Sequence, residues 1–138
     1  MKLKTLLPLL IILFSFTACD NFLGSRLFGR TIEPEFSIKE ENLKSRIASI
    51  LPSEEINITT SKSLKKTEFN TLHIEILRPG TFPLNSYSFV GLAQNIHRIV
   101  ITSISNINQF QKMEIVVRHS VEENGISFER SYKKEIDI

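Results

Sequence analysis

The chain has 138 residues, 41% hydrophobic and 23% charged, with 17 Lys+Arg against 15 Asp+Glu, a globular composition that excludes a disordered polyelectrolyte. A formal charge of +2 without a dense cationic face argues against nucleic acid as a partner. The length fits one domain, and a single cysteine, Cys19, leaves no internal disulfide to form.

The N-terminus reads as a secretion signal. Lys2 and Lys4 give a positive start, and residues 6–18 are apolar apart from Pro8, Ser15 and Thr17. That stretch is shorter than the roughly 20 residues of a permanent transmembrane helix, which suits a cleaved signal core. It ends in Phe16-Thr17-Ala18-Cys19. This resembles the bacterial lipobox, small residues ahead of an obligatory cysteine, with Phe16 where Leu is usual. The resemblance implies a bacterial lipoprotein precursor: cleavage between Ala18 and Cys19, a diacylglycerol on the Cys19 thiol, and a fatty acid such as palmitate on the new amine. Losing Lys2 and Lys4 from the 17 basic residues then leaves 15 against 15 acidic ones. Each buried methylene contributes about 0.8 kcal/mol, so two or three acyl chains give anchoring on the order of 20 kcal/mol. The membrane is therefore one expected partner and the cell envelope the expected location. Heavy use of Ile, Lys, Asn, Ser and Phe suggests an AT-rich genome, in which the enteric retention rule for Asp20 does not apply. The outer membrane of a Gram-negative cell is the expectation.

Residues 19–35 read as the lipidated cysteine and a tether, with residues 36–138 as a single domain. Phe22-Leu23-Gly24 and Leu27-Phe28-Gly29 form a near-repeat beside Arg26 and Arg30. Such side chains either dip into the headgroup zone or pad the edge of the domain.

Within the domain, Ser37-Ile38-Lys39-Glu40 fits a capping box. Leu43, Ile47, Ile50 and Leu51 follow at helical spacing up to Pro52. A helix over residues 38–51 is predicted. Ile56, Ile58 and Thr60 alternate with Asn57 and Thr59, and Leu72, Ile74 and Ile76 alternate with His73 and Glu75, the pattern of two half-buried strands. The basic run Lys62, Lys65, Lys66 between them reads as a solvated turn. A longer helix is expected from about residue 85 to 105, carried by Phe89, Ala93, Ile96, Val100 and Ser103; β-branched residues 99–102 also suit a strand. Asn124-Gly125 between alternating runs is a strong hairpin signal, since both turn positions need positive φ. That turn predicts Val121 opposite Phe128, Val117 opposite Tyr132, Met113 opposite Ile136, and His119 opposite Arg130.

The order α-β-β-α-β-β predicts an α+β fold, two helices packed on one face of a four-stranded, mainly antiparallel sheet. The element order resembles that of the small envelope-associated BON modules. Their glycine-punctuated strand signature is absent, so the resemblance carries no residue roles.

The chemistry is sparse. His73, His97 and His119 stand on three different elements without ligand spacing, so no metal or cofactor is expected. No G-x-S-x-G elbow or glycine-rich phosphate loop occurs. The exception is His119 facing Arg130 on the parity that otherwise points to the core, with Tyr132 next along. This trio predicts either a small polar pocket for an acidic group or a rim where Arg130 reaches water and neutral His119 packs on Tyr132. The expected function is a non-catalytic binding or assembly module of the envelope with a protein partner. It would dock through a sheet edge or through the polar face bearing Thr71, His73, Glu75 and Arg118. The alternative is a small hydrolase or transferase whose site assembles only in space.

Overall fold

The computed structural model describes residues 31–62 and 69–138. The signal segment, the Cys19 motif, the near-repeat and the basic residues Lys65 and Lys66 lie outside the described residues. Residues 31–138 form one compact unit. It contains α1 (Glu40–Ile50), β1 (Ser53–Lys62), β2 (Asn70–Pro79), α2 (Ser86–Ser103), a 3-10 turn at Ile107–Gln109, β3 (Lys112–Glu123) and β4 (Ile126–Asp137).

The strands lie in the order β1-β2-β3-β4. β1 pairs antiparallel with β2, β2 parallel with β3, and β3 antiparallel with β4. The sheet is therefore mixed, which corrects the expectation of a mainly antiparallel one. The cause is α2. A helical connection carries the chain back to the end where β2 began, so β3 must run in the same direction as β2. The α-β-β-α-β-β order is as expected, and the stretch 99–103 is helix. Ile104, just beyond it, is extended and bridges to Phe36.

Alternation decides which side of each strand is buried. Leu72, Ile74 and Ile76 on β2 and Met113, Ile115 and Val117 on β3 are fully buried. They belong to the same apolar cluster as Leu43 and Ile47 of α1 and Phe89, Ala93, Ile96 and Val100 of α2. Burying one such side chain contributes about 1.5–3 kcal/mol.

The capping box expected at Ser37 and Glu40 does not form. α1 starts at Glu40 with Lys39 as its N-cap and no side-chain cap bond. The Ser37 amide donates to the Ser103 carbonyl (2.9 Å), and its hydroxyl donates to the Thr102 carbonyl (3.4 Å). The contact with the end of α2 therefore takes the hydroxyl that the box required. A capping box forms instead on α2, where the Ser88 amide donates to Asn85 Oδ1 (2.9 Å) and the Asn85 amide to Ser88 Oγ (3.3 Å). The segment before Ser37 is tied to the same place. Glu35 donates its amide to Asn106 Oδ1 (2.8 Å), and Asn106 Nδ2 donates to the Glu33 carbonyl (2.9 Å).

Candidate functional site

The β3–β4 hairpin runs past the end of the rest of the sheet. The β2–β3 pairing stops at Leu77 and Arg118, whereas the β3–β4 ladder continues to Glu123 and Ile126. The turn has the predicted geometry, with φ 53° at Asn124 and 75° at Gly125, and every hairpin pair expected from it is present, His119 opposite Arg130 included. Beyond His119, apolar residues on the side that buries Met113, Ile115 and Val117 are exposed. Val121 is 42% exposed, Ile126 58% and Phe128 59%. Leu84 and Tyr87, at the entry to α2, are almost fully exposed.

Phe82 joins this outer half of the hairpin to the core. Its ring stacks on Tyr132 (centroids 5.3 Å apart, 20° between planes) and lies 6.0 Å from the His119 ring. The Arg130 guanidinium carbon is 5.5 Å from the same ring centroid. Phe89 of α2 stacks on Tyr132 as well, at 5.3 Å. The three residues singled out from sequence thus gather around one phenylalanine. Arg130 is exposed, while His119 and Tyr132 are half-buried. Cation–π and aromatic contacts of this kind contribute roughly 0.5–1.5 kcal/mol each.

His119 also faces a groove of about 460 Å³ where β1 begins and β2 ends, lined by Ser53, Glu54, Arg78, Gly80 and Ser120 among others. Arg130 and Tyr132 do not line it. On two of the residues that line it, Ser53 Oγ and His119 Nδ1 are buried and have no hydrogen-bond partner. Arg78 adopts a left-handed conformation (φ 48°) and its Nε donates to Glu54 Oε2 at 2.6 Å. A left-handed non-glycine residue costs about 1–2 kcal/mol, more than an exposed ion pair returns.

The opposite parity of the sheet carries charges that answer one another across strands. His73 Nδ1 lies 3.3 Å from Glu114 Oε1, and its Nε2 lies 2.6 Å from the Ser61 hydroxyl. Lys133 Nζ pairs with Glu114 Oε2 at 2.5 Å. Burial pushes the Glu114 carboxyl upward, but Lys133 and His73 together outweigh it and hold the group below its usual range. Beside this chain, Arg118 pairs with Glu75 (3.4 Å) and with Glu129 (3.3 Å). Lys112 pairs with Glu135, whose hydrogen bond raises the lysine pKa. Of the residues expected to form a polar docking face, Thr71 is buried, and His73, Glu75 and Arg118 are engaged in these bonds.

His97 stands apart on α2 with its Nε2 buried and unpaired. Among the described residues, no three His, Cys, Asp or Glu side chains gather where a metal ion could be held, and no helix is long and apolar enough to cross a membrane. Sequence reasoning missed Phe82, Ser53 and Arg78. A loop phenylalanine gives no periodic signal of where it will fold. In comparison with known proteins, the chain matches no family model, no curated protein and no solved structure.

Proposed function

We infer that this is a lipid-anchored cell-envelope protein, held through Cys19, that acts as a non-catalytic binding or assembly module. It docks an envelope protein through the outer half of the β3–β4 hairpin. In this reading both helices cover the buried side of the sheet, and the hairpin projects beyond them toward the partner. The observation that carries the reading is the exposure of Val121, Ile126 and Phe128 on the side of the hairpin where Met113, Ile115 and Val117 of β3 are fully buried deeper in the sheet. Contiguous apolar side chains left open at a strand end mark an interaction surface, and covering them would contribute about 1.5–3 kcal/mol each. The Phe16-Thr17-Ala18-Cys19 motif supports the lipid anchor, and the outer membrane of a Gram-negative cell is the location taken with it from the residue usage.

The test is a photo-crosslinking residue at position 128 in the full chain, expressed in its membrane, with position 105 as control. A discrete adduct from 128 and none from 105 is expected. No adduct from 128 would refute docking by the hairpin. Intact mass of the purified protein tests the anchor: lipid mass on a chain beginning at Cys19 is expected, and a bare N-terminus would remove it.

A second reading, a small hydrolase or transferase, draws on Ser53 Oγ and His119 Nδ1, unpaired atoms of two residues that line one groove. The lack of a hydrogen bond between them, or of a carboxylate orienting the imidazole, favours binding over catalysis.

A further inference from the structure

β4 closes one side of the sheet, and no strand lies beyond it among the described residues. Its backbone edge is long, from Ile126 to Asp137, and contains no proline. An edge of that kind pairs with another strand unless something repels it.

A second copy related by a two-fold axis normal to the sheet must place one residue of β4 opposite itself, because facing side chains share a side of the sheet. Only a few registers then pair more than half of the strand. Centring on Glu129, Arg130, Lys133 or Lys134 sets that charge against its own copy. Centring on Tyr132 puts Glu129 against Glu135 and Arg130 against Lys134, each twice. Centring on Ser131 behaves differently. Glu129 faces Lys133 on both sides of the axis, Arg130 faces Tyr132, Ile126 faces Ile136, and no like charges meet. Opposite charges directly across a ladder stabilise it and like charges destabilise it.

The outward face gives an independent indication. One chain of polar contacts runs Ser61–His73–Glu114–Lys133 across all four strands, and another runs Glu75–Arg118–Glu129. They end at the open edge in a cation and an anion two residues either side of Ser131. The geometry points to a second copy of this chain as the occupant of the β4 edge, paired antiparallel about Ser131 into one continuous eight-stranded sheet. Lys133 of one copy meets Glu129 of the other, so each polar chain is continued by its counterpart. Against a shifted register or an unrelated cationic strand, Arg130, Lys133 and Lys134 act as repulsion. This inference rests on the edge and the charges of the outward face rather than on the exposure of Val121 and Phe128, and of the apolar docking residues its contacts named above include only Ile126.

Cysteine scanning in the full chain, purified in detergent, tests it. Residues facing each other across an antiparallel ladder have Cα atoms about 4.5–5.5 Å apart, within disulfide range. Under mild oxidation Ser131→Cys should give a covalent dimer, with about tenfold less from Arg130→Cys or Tyr132→Cys and none above background from the parent carrying only Cys19. By sedimentation, Lys133→Glu should weaken self-association about tenfold. Ser127→Lys, which would face Glu135, should strengthen it. Circular dichroism identical to the parent's shows that each variant is folded. Equal yields at the three positions, a Ser131→Cys yield no greater than the parent's, or a monomer whose mass Ser127→Lys leaves unchanged would overturn the proposal.

Discussion

In the inner half of the β3–β4 hairpin, Met113, Ile115 and Val117 have no exposed surface. In the outer half Val121, Ile126 and Phe128 keep 42%, 58% and 59% of theirs, although both halves obey the same alternation in one unbroken ladder. The β3–β4 hydrogen bonding is continuous through both halves, whereas β3 pairs with β2 only along the inner half. β2 pairs with β3 only as far as Leu77 and Arg118, and Phe82 lies beyond that limit beside His119, Arg130 and Tyr132. Period-two patterning therefore marks which side of a strand is apolar, while burial depends on how far the second layer extends. Apolar side chains that continue past the last covering element are available for contact with another molecule.

That contrast can be broken first in the inner half. Ile115→Ala removes a fully buried side chain and should lower unfolding free energy by about 2–5 kcal/mol in urea titration. A loss below 1 kcal/mol would mean that the inner half is no better packed than the outer. Gly125→Ala comes next. A Cβ there meets no atom within 4 Å, so the cost is the positive φ of 75° alone, about 1–2 kcal/mol, read by thermal unfolding. An unchanged midpoint would show that the turn relaxes freely.

Glu114→Gln probes the polar face behind the inner half. Because the folded carboxyl lies below its usual range, it stabilises the fold at neutral pH. That contribution fades as pH falls from about 5 through the depressed value. The variant should be roughly 1 kcal/mol less stable at pH 7 and should lose less on acidification, so the two stability curves converge toward pH 2. Parallel curves would contradict the assignment. The smallest expected effect on stability belongs to the outer half, where Phe128→Ser should change unfolding free energy by less than about 0.5 kcal/mol.

Much of this was legible in the sequence, for identifiable reasons. Asn124-Gly125 admits one two-residue turn, and that turn numbered the whole ladder from Met113 with Ile136 outward. The stripe Phe89, Ala93, Ile96, Val100 outlasted the β-branched run beside it, so the helix persisted to Ser103. The parallel central pairing was not anticipated, although it follows once a helix is placed between neighbouring strands. Ser37 misled because a capping box is a local pattern, while the last turn of α2, whose Thr102 carbonyl takes its hydroxyl, lies 65 residues away. Ser53, Arg78 and Phe82 converge on His119 through tertiary geometry, and the spacing of those residues carries no trace of it. The exposure of Val121 and Phe128 was hidden for a related reason, since how far a covering layer reaches is a property of the assembled fold.

The most direct measurement pairs two readings on Phe128→Ser in the full chain: urea unfolding of the purified protein, and adduct formation from a photo-crosslinking residue at position 121 in the native membrane. The account predicts an unfolding midpoint indistinguishable from the parent's together with loss of the adduct. A midpoint shift equivalent to 2 kcal/mol or more, on the scale of a core truncation, or an adduct of undiminished yield, would contradict it.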